Sequence, residues 1–108
     1  MNWFRKDVAG RFVWPGFGEN IRVLKWIIQR LTGEAAATRT PVGYLPAPGS
    51  LDLDGLEVSW ADLALLLSVD IQAWKLEAEH IPEHLQTFHR HLPARLWELH
   101  QELVERLG

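Results

Sequence analysis

The sequence predicts a mostly α fold of the α+β kind, with an N-terminal β-hairpin followed by four or five helices. Three observations lead to this prediction. Residues 2–14 place aromatic segments on both sides of a polar turn, residues 21–31 have helical periodicity, and residues 59–108 contain helix caps followed by apolar repeats. Only residues 2–14 and the neighbourhood of Val42 have the character of strands.

The hairpin is expected in residues 2–14. Residues 3–5 and 11–14 flank residues 7–10, a polar connection that ends in glycine, as hairpin loops often do. Pro15 and Gly16 end the second strand, because proline cannot continue a strand's hydrogen bonding.

The run 21–31 is predicted to be an amphipathic helix. Asn20 is expected to cap it, since the side-chain oxygen of Asn can accept a bond from a free helix N–H. Gly33 is expected to end it. The apolar positions recur at three- and four-residue steps: Val23, Leu24, Ile27, Ile28 and Leu31.

Residues 34–58 are expected to form an ordered crossing loop, with a short extended piece around Val42–Tyr44. Three prolines and three glycines disfavour regular structure there, while its Tyr, Leu and Val side chains can be buried. The chain is thus predicted to be a single segment with four parts: the hairpin and aromatic motif 2–20, the helix 21–33, the loop 34–58 and the helical part 59–108.

Two caps begin the helical part. Ser59 and Asp62 have the spacing of a capping box, which opens a short helix to about Ser68. Asp70 is expected to cap a second helix that extends to about His91. Pro82 lies inside this run, where it would kink the helix or divide it in two.

Pro93 suits the start of a last helix, because the first helical N–H has no partner in any case. The apolar side chains of that helix are predicted to form a buried stripe: Leu96, Leu99, Leu103 and Leu107.

Composition limits the classes of protein to which the chain can belong. A net charge of -3 gives no general attraction to nucleic acid or to an anionic membrane, so neither is expected as a partner. The absence of cysteine excludes disulfides and thiolate chemistry and is compatible with a reducing cytoplasm. Apolar runs are too short to cross a bilayer, and Arg5 and Lys6 interrupt any signal-like core. A soluble, cytoplasmic chain is expected.

Aromatic residues are concentrated at the N-terminal end, where five of the eleven lie within the first seventeen residues. Rings on glycine-flanked backbone beside a helix N-terminus suit a flat, negatively charged ligand such as a nucleotide. By composition alone, however, aromatics beside a Pro-Gly turn are more often core residues than a ligand platform. The residues themselves leave both interpretations open.

Nearly the whole chain resembles the GTP-dependent phosphoenolpyruvate carboxykinases. The first matching blocks have the most unusual composition, and the downstream helices add little. The matching segments are residues 2–7 (NWFRKD), 12–20 (FVWPGFGEN), 22–26 (RVLKW), 40–44 (TPVGY) and 51–55 (LDLDG), with the helices near Trp74 and Trp97.

The resemblance implies a C-terminal piece of an enzyme that converts oxaloacetate and GTP to phosphoenolpyruvate, carbon dioxide and GDP in gluconeogenesis. It implies that this piece binds the guanine of GTP or GDP. Phe12 and Phe17 would sandwich the base, Phe4 would close the pocket edge-on, and Asn20 would hydrogen-bond the guanine edge through backbone or side chain. Trp3 and Trp14 are expected to pack behind the pocket.

The chain lacks the parts that phosphoryl transfer needs. It has no Gly-x-x-x-x-Gly-Lys-Ser/Thr loop, and the resemblance places the Mn²⁺ or Mg²⁺ ligands upstream of the matched region. No catalytic and no metal-binding residue is therefore expected here, and the isolated chain is expected to be inactive as a carboxy-lyase. Met1 is interpreted as an initiator added to a truncated segment or as the start of a fragmentary gene. The remainder of the carboxykinase chain is the expected partner, and the isolated segment is expected to self-associate.

Two other interpretations of the sequence concern what the chain binds. A small helical module derived from the same fold could bind a protein partner and no nucleotide. A zinc site at His80 and His84 is disfavoured, because Pro82 lies between them and Glu83 does not fit the His-Glu-x-x-His motif. Solvated histidines on an amphipathic helix are the better interpretation of that segment.

Overall fold

The computed structural model describes residues 2–108, and within this range the mostly α, α+β class is confirmed. The chain divides into two compact units, residues 2–39 with 44–68 and residues 40–43 with 69–108. None of the helices in the described range is both long and apolar enough to cross a lipid bilayer. The regular elements are the helices α1 (Ile21–Leu31), α2 (Trp60–Leu67), α3 (Ile71–Gln86) and α4 (Ala94–Leu107), and the strands β1 (Ala37–Thr40) and β2 (Gly43–Pro46).

The N-terminal hairpin is present in a reduced form, with Lys6 and Phe12 paired as one antiparallel bridge. The N–H of Val13 donates to the carbonyl of Arg5 at 2.9 Å, which continues the pairing on one side. The predicted first strand does not extend further, because the Asn2 side chain accepts a hydrogen bond from the Phe4 N–H at 3.0 Å and turns the chain.

The regular sheet lies instead in the segment predicted to be a crossing loop. β1 and β2 pair as a two-stranded sheet joined through residues 41–42. The hydroxyl of Thr40 donates to the carbonyl of Gly43 at 2.7 Å and closes the turn. The extended piece expected around Val42–Tyr44 is therefore part of a hairpin.

α1 has the predicted bounds, but the expected cap at Asn20 is wrong. Asn20 has helical backbone angles (φ -62°, ψ -25°) and makes no side-chain capping bond. A 3₁₀ turn at Phe17–Glu19 leads directly into it, so the backbone is already helical at this position. Its side-chain oxygen is bonded to Trp14 instead.

Gly33 ends α1 as predicted. Its φ of +81° is left-handed, a conformation that glycine adopts without steric cost. The N–H of Gly33 donates to the carbonyl of Arg30 at 3.3 Å, and the N–H of Glu34 donates to the carbonyl of Gln29 at 2.7 Å. These two bonds are those of a Schellman motif.

The face of α1 that is buried differs from the predicted one. Trp26 is only 7% exposed, and its indole N–H donates to Ser50 Oγ at 3.0 Å and to the carbonyl of Ala36 at 3.3 Å. Most of the apolar repeat faces outward in this chain. The exposed members are Leu24, Ile27, Ile28 and Leu31, whereas Val23 packs against the core.

Ion pairs hold the polar side of α1 against the loop that follows β2. Lys25 Nζ lies 2.6 Å from Asp52 Oδ2, and the Arg22 guanidinium donates to the Asp52 carbonyl at 3.1 Å. Arg22 also pairs with Glu19 at 2.7 Å. The apolar core of this unit lies beneath these contacts and consists of Val13, Trp14, Trp26, Leu51, Leu63 and Leu66.

The predicted caps of α2 and α3 are confirmed. Ser59 and Asp62 form a reciprocal capping box at 3.0 and 3.1 Å. Asp70 accepts from the N–H groups of Gln72 and Ala73, both at 3.0 Å. α3 ends at Gln86, earlier than expected, and a 3₁₀ turn follows it at His89–His91.

Pro82 neither breaks α3 nor leaves an unpaired carbonyl. Proline has no N–H, so it cannot donate to the carbonyl of Ala78 four residues earlier. The ring Nε2 of His100, on α4, lies 2.8 Å from that carbonyl oxygen and supplies the missing donor. One of the five histidines, expected to be solvated, therefore has a structural partner and is half-buried.

The buried stripe predicted for α4 is largely wrong. Leu107 is buried, Leu103 is half-buried, and Leu96 and Leu99 are exposed. Helical spacing places these side chains on one face, but contact with α3 covers only the C-terminal part of it.

Replacing His100 with Ala is expected to lower the free energy of unfolding by about 1–3 kcal/mol, because the Ala78 carbonyl loses its donor. The change should be smaller in a Pro82→Ala background, where the restored backbone N–H at position 82 can pair with that carbonyl. Urea unfolding of the four chains of this double-mutant cycle measures the coupling. Strictly additive effects would contradict the compensation.

Candidate functional site

A cavity of about 450 Å³ opens in the first compact unit, between the N-terminal loop and the start of α1. Its volume is within the range of pockets that hold small organic ligands. The walls are mostly aromatic, and one side-chain amide reaches them. The lining residues are Trp3, Phe4, Phe12, Trp14, Pro15, Gly16, Phe17 and Asn20.

Asp7 shapes the turn that places Phe12 in the wall. Its Oδ1 accepts from the N–H groups of Ala9 and Arg11 at 3.0 Å, and its Oδ2 pairs with Arg11 Nε at 3.2 Å. The Asp7 N–H donates back to the Arg11 carbonyl at 2.9 Å. One carboxylate therefore determines the path of the chain from Lys6 to Phe12.

Phe4 and Phe12 form the first wall. Their ring centroids are 6.4 Å apart at an interplanar angle of 69°, an edge-to-face arrangement. The ammonium of Lys6 lies 4.9 Å from the Phe12 centroid, over one ring face. Lys6 therefore covers one face of the Phe12 ring.

Phe17 forms a second part of the wall and is 90% exposed. It begins the 3₁₀ turn that follows Gly16, whose φ of +137° only glycine adopts readily. An apolar ring so exposed contributes little to the core.

Trp14 and Trp3 were expected to pack behind the pocket, and both instead line the cavity from its core side. Trp14 is only 3% exposed, and its ring centroid is 5.8 Å from that of the partly buried Trp3. The Trp14 indole N–H donates to Asn20 Oδ1 at 2.9 Å. The buried core of this unit is thereby joined to the single amide of the cavity wall.

Four site residues are predicted from the sequence, and the structure places all of them in the wall of this cavity: Phe4, Phe12, Phe17 and Asn20. Lys6 was not predicted. The predicted turn at residues 7–10 would pair Lys6 with Arg11, and only the structure shows that Lys6 pairs with Phe12.

The chemistry of the wall is that of binding. Among the described residues, no carboxylate, histidine or hydroxyl lines the cavity. Across residues 2–108 no cluster of three or more His, Cys, Asp or Glu side chains is placed to hold a metal ion. The arrangement can stack a flat ring and hydrogen-bond its edge.

Three relatives of the chain share the name phosphoenolpyruvate carboxykinase (GTP). The phosphoenolpyruvate carboxykinase (GTP) of Neocallimastix frontalis is 52% identical over 108 residues, which cover 99% of this chain and 18% of that protein. That of Renibacterium salmoninarum is 47% identical over 108 residues, covering 100% of the chain and 18% of the relative. That of Chlamydia trachomatis is 50% identical over 99 residues, covering 91% and 16%.

A family model described as the phosphoenolpyruvate carboxykinase C-terminal P-loop domain matches residues 1–106. The chain belongs to this family, which confirms the resemblance found in the sequence. It spans less than a fifth of the length of these relatives.

The turn that places Phe12 is expected to weaken in acid. The pKa of Asp7 is below its usual value of 3.8, chiefly because the Arg11 N–H donates to the carboxylate, and the Arg11 side chain and the Ala9 N–H add to this. A folded pKa below the unfolded one means that the stabilisation is complete above about pH 4 and is lost as the pH falls through the folded value.

An NMR titration of the Ala9 and Arg11 amide shifts measures this pKa, and a midpoint below 3.8 is expected. Asp7→Asn is the matched control, since it keeps an acceptor oxygen and has no titrating proton. A midpoint at or above the usual value would show that the carboxylate does not hold the turn.

Proposed function

We propose that the cavity binds the guanine base of GTP or GDP, as part of a phosphoenolpyruvate carboxykinase. The observation that carries this proposal is the convergence of Phe4, Phe12, Phe17 and Asn20 on one cavity of about 450 Å³. These residues lie in three different local structures, namely the N-terminal turn, the bridge and the start of α1. Core packing does not require three largely exposed phenylalanines to converge.

Stacking supplies the affinity for the base. An aromatic ring contributes roughly 1–3 kcal/mol per stacked base, whichever base it is. In the proposed arrangement Phe12 offers its face away from Lys6 and Phe17 closes the other side of the base. Phe4, edge-on to Phe12, borders the pocket.

Hydrogen bonding supplies the selectivity. Stacking does not distinguish guanine from adenine, so the distinction depends on polar atoms that meet the base edge. Asn20 carries the one side-chain amide of the wall. Its backbone groups are used in local helical bonds, which leaves the side chain to contact the base.

The reaction itself is proposed to belong to the longer protein. There the full enzyme would convert oxaloacetate and GTP to phosphoenolpyruvate, carbon dioxide and GDP, as a carboxy-lyase of gluconeogenesis in the cytoplasm. The described residues provide no metal-binding cluster, so the Mn²⁺ or Mg²⁺ ligands are proposed to lie outside this chain. This chain would contribute the base end of the nucleotide site.

The remainder of a carboxykinase chain is the proposed partner. α1 exposes a continuous apolar face along three turns, from Ile21 through Leu24 and Ile28 to Leu31. Such a face is unfavourable in water, and the relatives have more than four-fifths of their length outside the matched part. Without that covering the chain would self-associate, which sedimentation velocity at increasing concentration would detect.

The same face supports a second candidate, a small helical interaction module that binds a protein partner and no nucleotide. Exposed apolar residues on α1 favour it, and the exposed rings of the cavity are compatible with it. Nucleotide binding separates the two functions.

GDP is expected to quench tryptophan fluorescence saturably at millimolar concentration, and ADP to do so much more weakly, because Trp3 and Trp14 line the cavity. Phe12→Ala and Phe17→Ala should each weaken GDP binding by about fivefold or more, through loss of stacking.

Phe88→Ala is the control for these variants. Its ring also is partly exposed, but it belongs to the second compact unit and packs on His84. It should leave the affinity unchanged. Absence of any saturable response to millimolar GDP would favour the interaction module over the nucleotide site.

No turnover is expected from the isolated chain in an assay of GDP-dependent carboxylation of phosphoenolpyruvate with Mn²⁺. The cavity wall contains neither an acid–base group nor a phosphate-binding loop. Bicarbonate fixation above the level of a Phe12→Ala, Phe17→Ala double variant would contradict this.

A further inference from the structure

We propose that Trp14 is a positioning residue that orients the Asn20 amide and thereby sets the preference of the cavity for one class of purine. This inference rests on the proposed nucleotide site. Trp14 would act through Asn20, by holding Oδ1 so that the amide presents its N–H groups to the base edge. The class preferred is then the purines that carry a carbonyl oxygen on the six-membered ring.

The geometry of the pair supports a fixed orientation. The indole N–H is a donor only, so it selects Oδ1 of the amide and not Nδ2. The two heavy atoms are 2.9 Å apart, a good distance for this bond. Trp14 itself is 3% exposed within the apolar core, so its ring has little freedom to turn away.

The backbone N–H and carbonyl of Asn20 are already hydrogen-bonded within the chain. Its N–H donates to the Phe17 carbonyl at 3.1 Å, and its carbonyl accepts from the N–H of Val23 at 3.1 Å. In the part of the chain that the structure describes, Nδ2 has no hydrogen-bond partner. It is therefore the polar atom of Asn20 that remains for a ligand in the cavity.

A fixed amide distinguishes the two purines at one position. Guanine carries an acceptor oxygen on C6, and adenine carries an amino donor on the same carbon. An amide presenting Nδ2 bonds the first and meets a donor on the second. An amide free to flip would present Oδ1 as easily and accept from adenine, so the preference would be lost.

The burial of Trp14 also fits a simpler role, in which it is a core residue that supports the whole cavity. Loss of such support would weaken binding of GDP and ADP alike. Loss of the orienting bond would change the ratio of the two affinities. The ratio therefore distinguishes the positioning role from a purely structural one.

The sharpest variant replaces Trp14 with 3-benzothienylalanine, in which sulfur takes the place of the indole N–H and the ring shape is kept. Competition of GDP and ADP against a fluorescent N-methylanthraniloyl-GDP, followed by anisotropy, gives both affinities. The GDP-to-ADP affinity ratio is expected to fall about three- to tenfold, the effect of one net hydrogen bond.

The same replacement at Trp26 is the matched control, because Trp26 is also buried and its indole N–H donates to Ser50 Oγ at 3.0 Å, outside the cavity. It should leave the ratio unchanged. Trp14→Phe should lower the ratio as the sulfur analogue does, and Asn20→Ala should lower it whether or not Trp14 is intact.

The possible outcomes distinguish the positioning role of Trp14 from the nucleotide site itself. A wild-type chain that prefers GDP, with the same preference in the Trp14 sulfur analogue, would overturn the positioning role and leave the nucleotide site standing. A wild-type chain that binds neither nucleotide would overturn the site and the positioning role together.

Discussion

The first compact unit depends on two buried indole rings whose N–H groups are both bonded. Trp26 ties α1 to the segment around β1 and β2 through Ser50 Oγ and the Ala36 carbonyl. Trp14 ties the N-terminal loop to the start of α1 through Asn20. The large apolar ring of each tryptophan buries surface, and its N–H makes a directional hydrogen bond. Each tryptophan therefore fixes both the distance between the segments that it joins and their register. The Trp14 contact lies in the wall of the cavity, beside the exposed phenylalanines.

The site combines a rigid back wall with open front walls. Trp14 and Trp3 form the buried side, while Phe4, Phe12 and Phe17 stay largely exposed. In the proposed site, the buried side would set the orientation of the base and the exposed side would supply stacking area. In the proposed site, the hydrogen bond between Trp14 and Asn20 would give a physical reason for the selection of guanine. The phosphates and the metal ions would lie with residues that this chain does not contain.

Local signals in the sequence were reliable wherever one short-range interaction decides the outcome. The capping box at Ser59, the cap at Asp70 and the left-handed Gly33 all appear as predicted, because each needs only neighbouring residues. Asn20 shows the limit of this reasoning. Its side chain suits a helix cap, but it accepts a hydrogen bond from the indole N–H of Trp14, six residues earlier. Rules for helix caps do not include such a contact. The apolar repeats of α1 and α4 failed for another reason. Periodicity shows which side chains share a face, but not whether another element covers it.

By itself, the sequence determined the α+β class, the bounds of α1, the main caps, the family and four of the eight residues that line the cavity. These follow from short-range hydrogen bonding, from periodicity and from a motif of unusual composition. Only the tertiary structure decided that Trp26 and not the aliphatic stripe is buried, that His100 replaces the donor missing at Pro82, and that Trp14 holds the Asn20 amide. Each of these is a contact between residues that the fold brings together. In each case the fold selects one side chain among several of the same chemistry. Spacing along the chain carries no information about that choice, because it is made by packing in three dimensions.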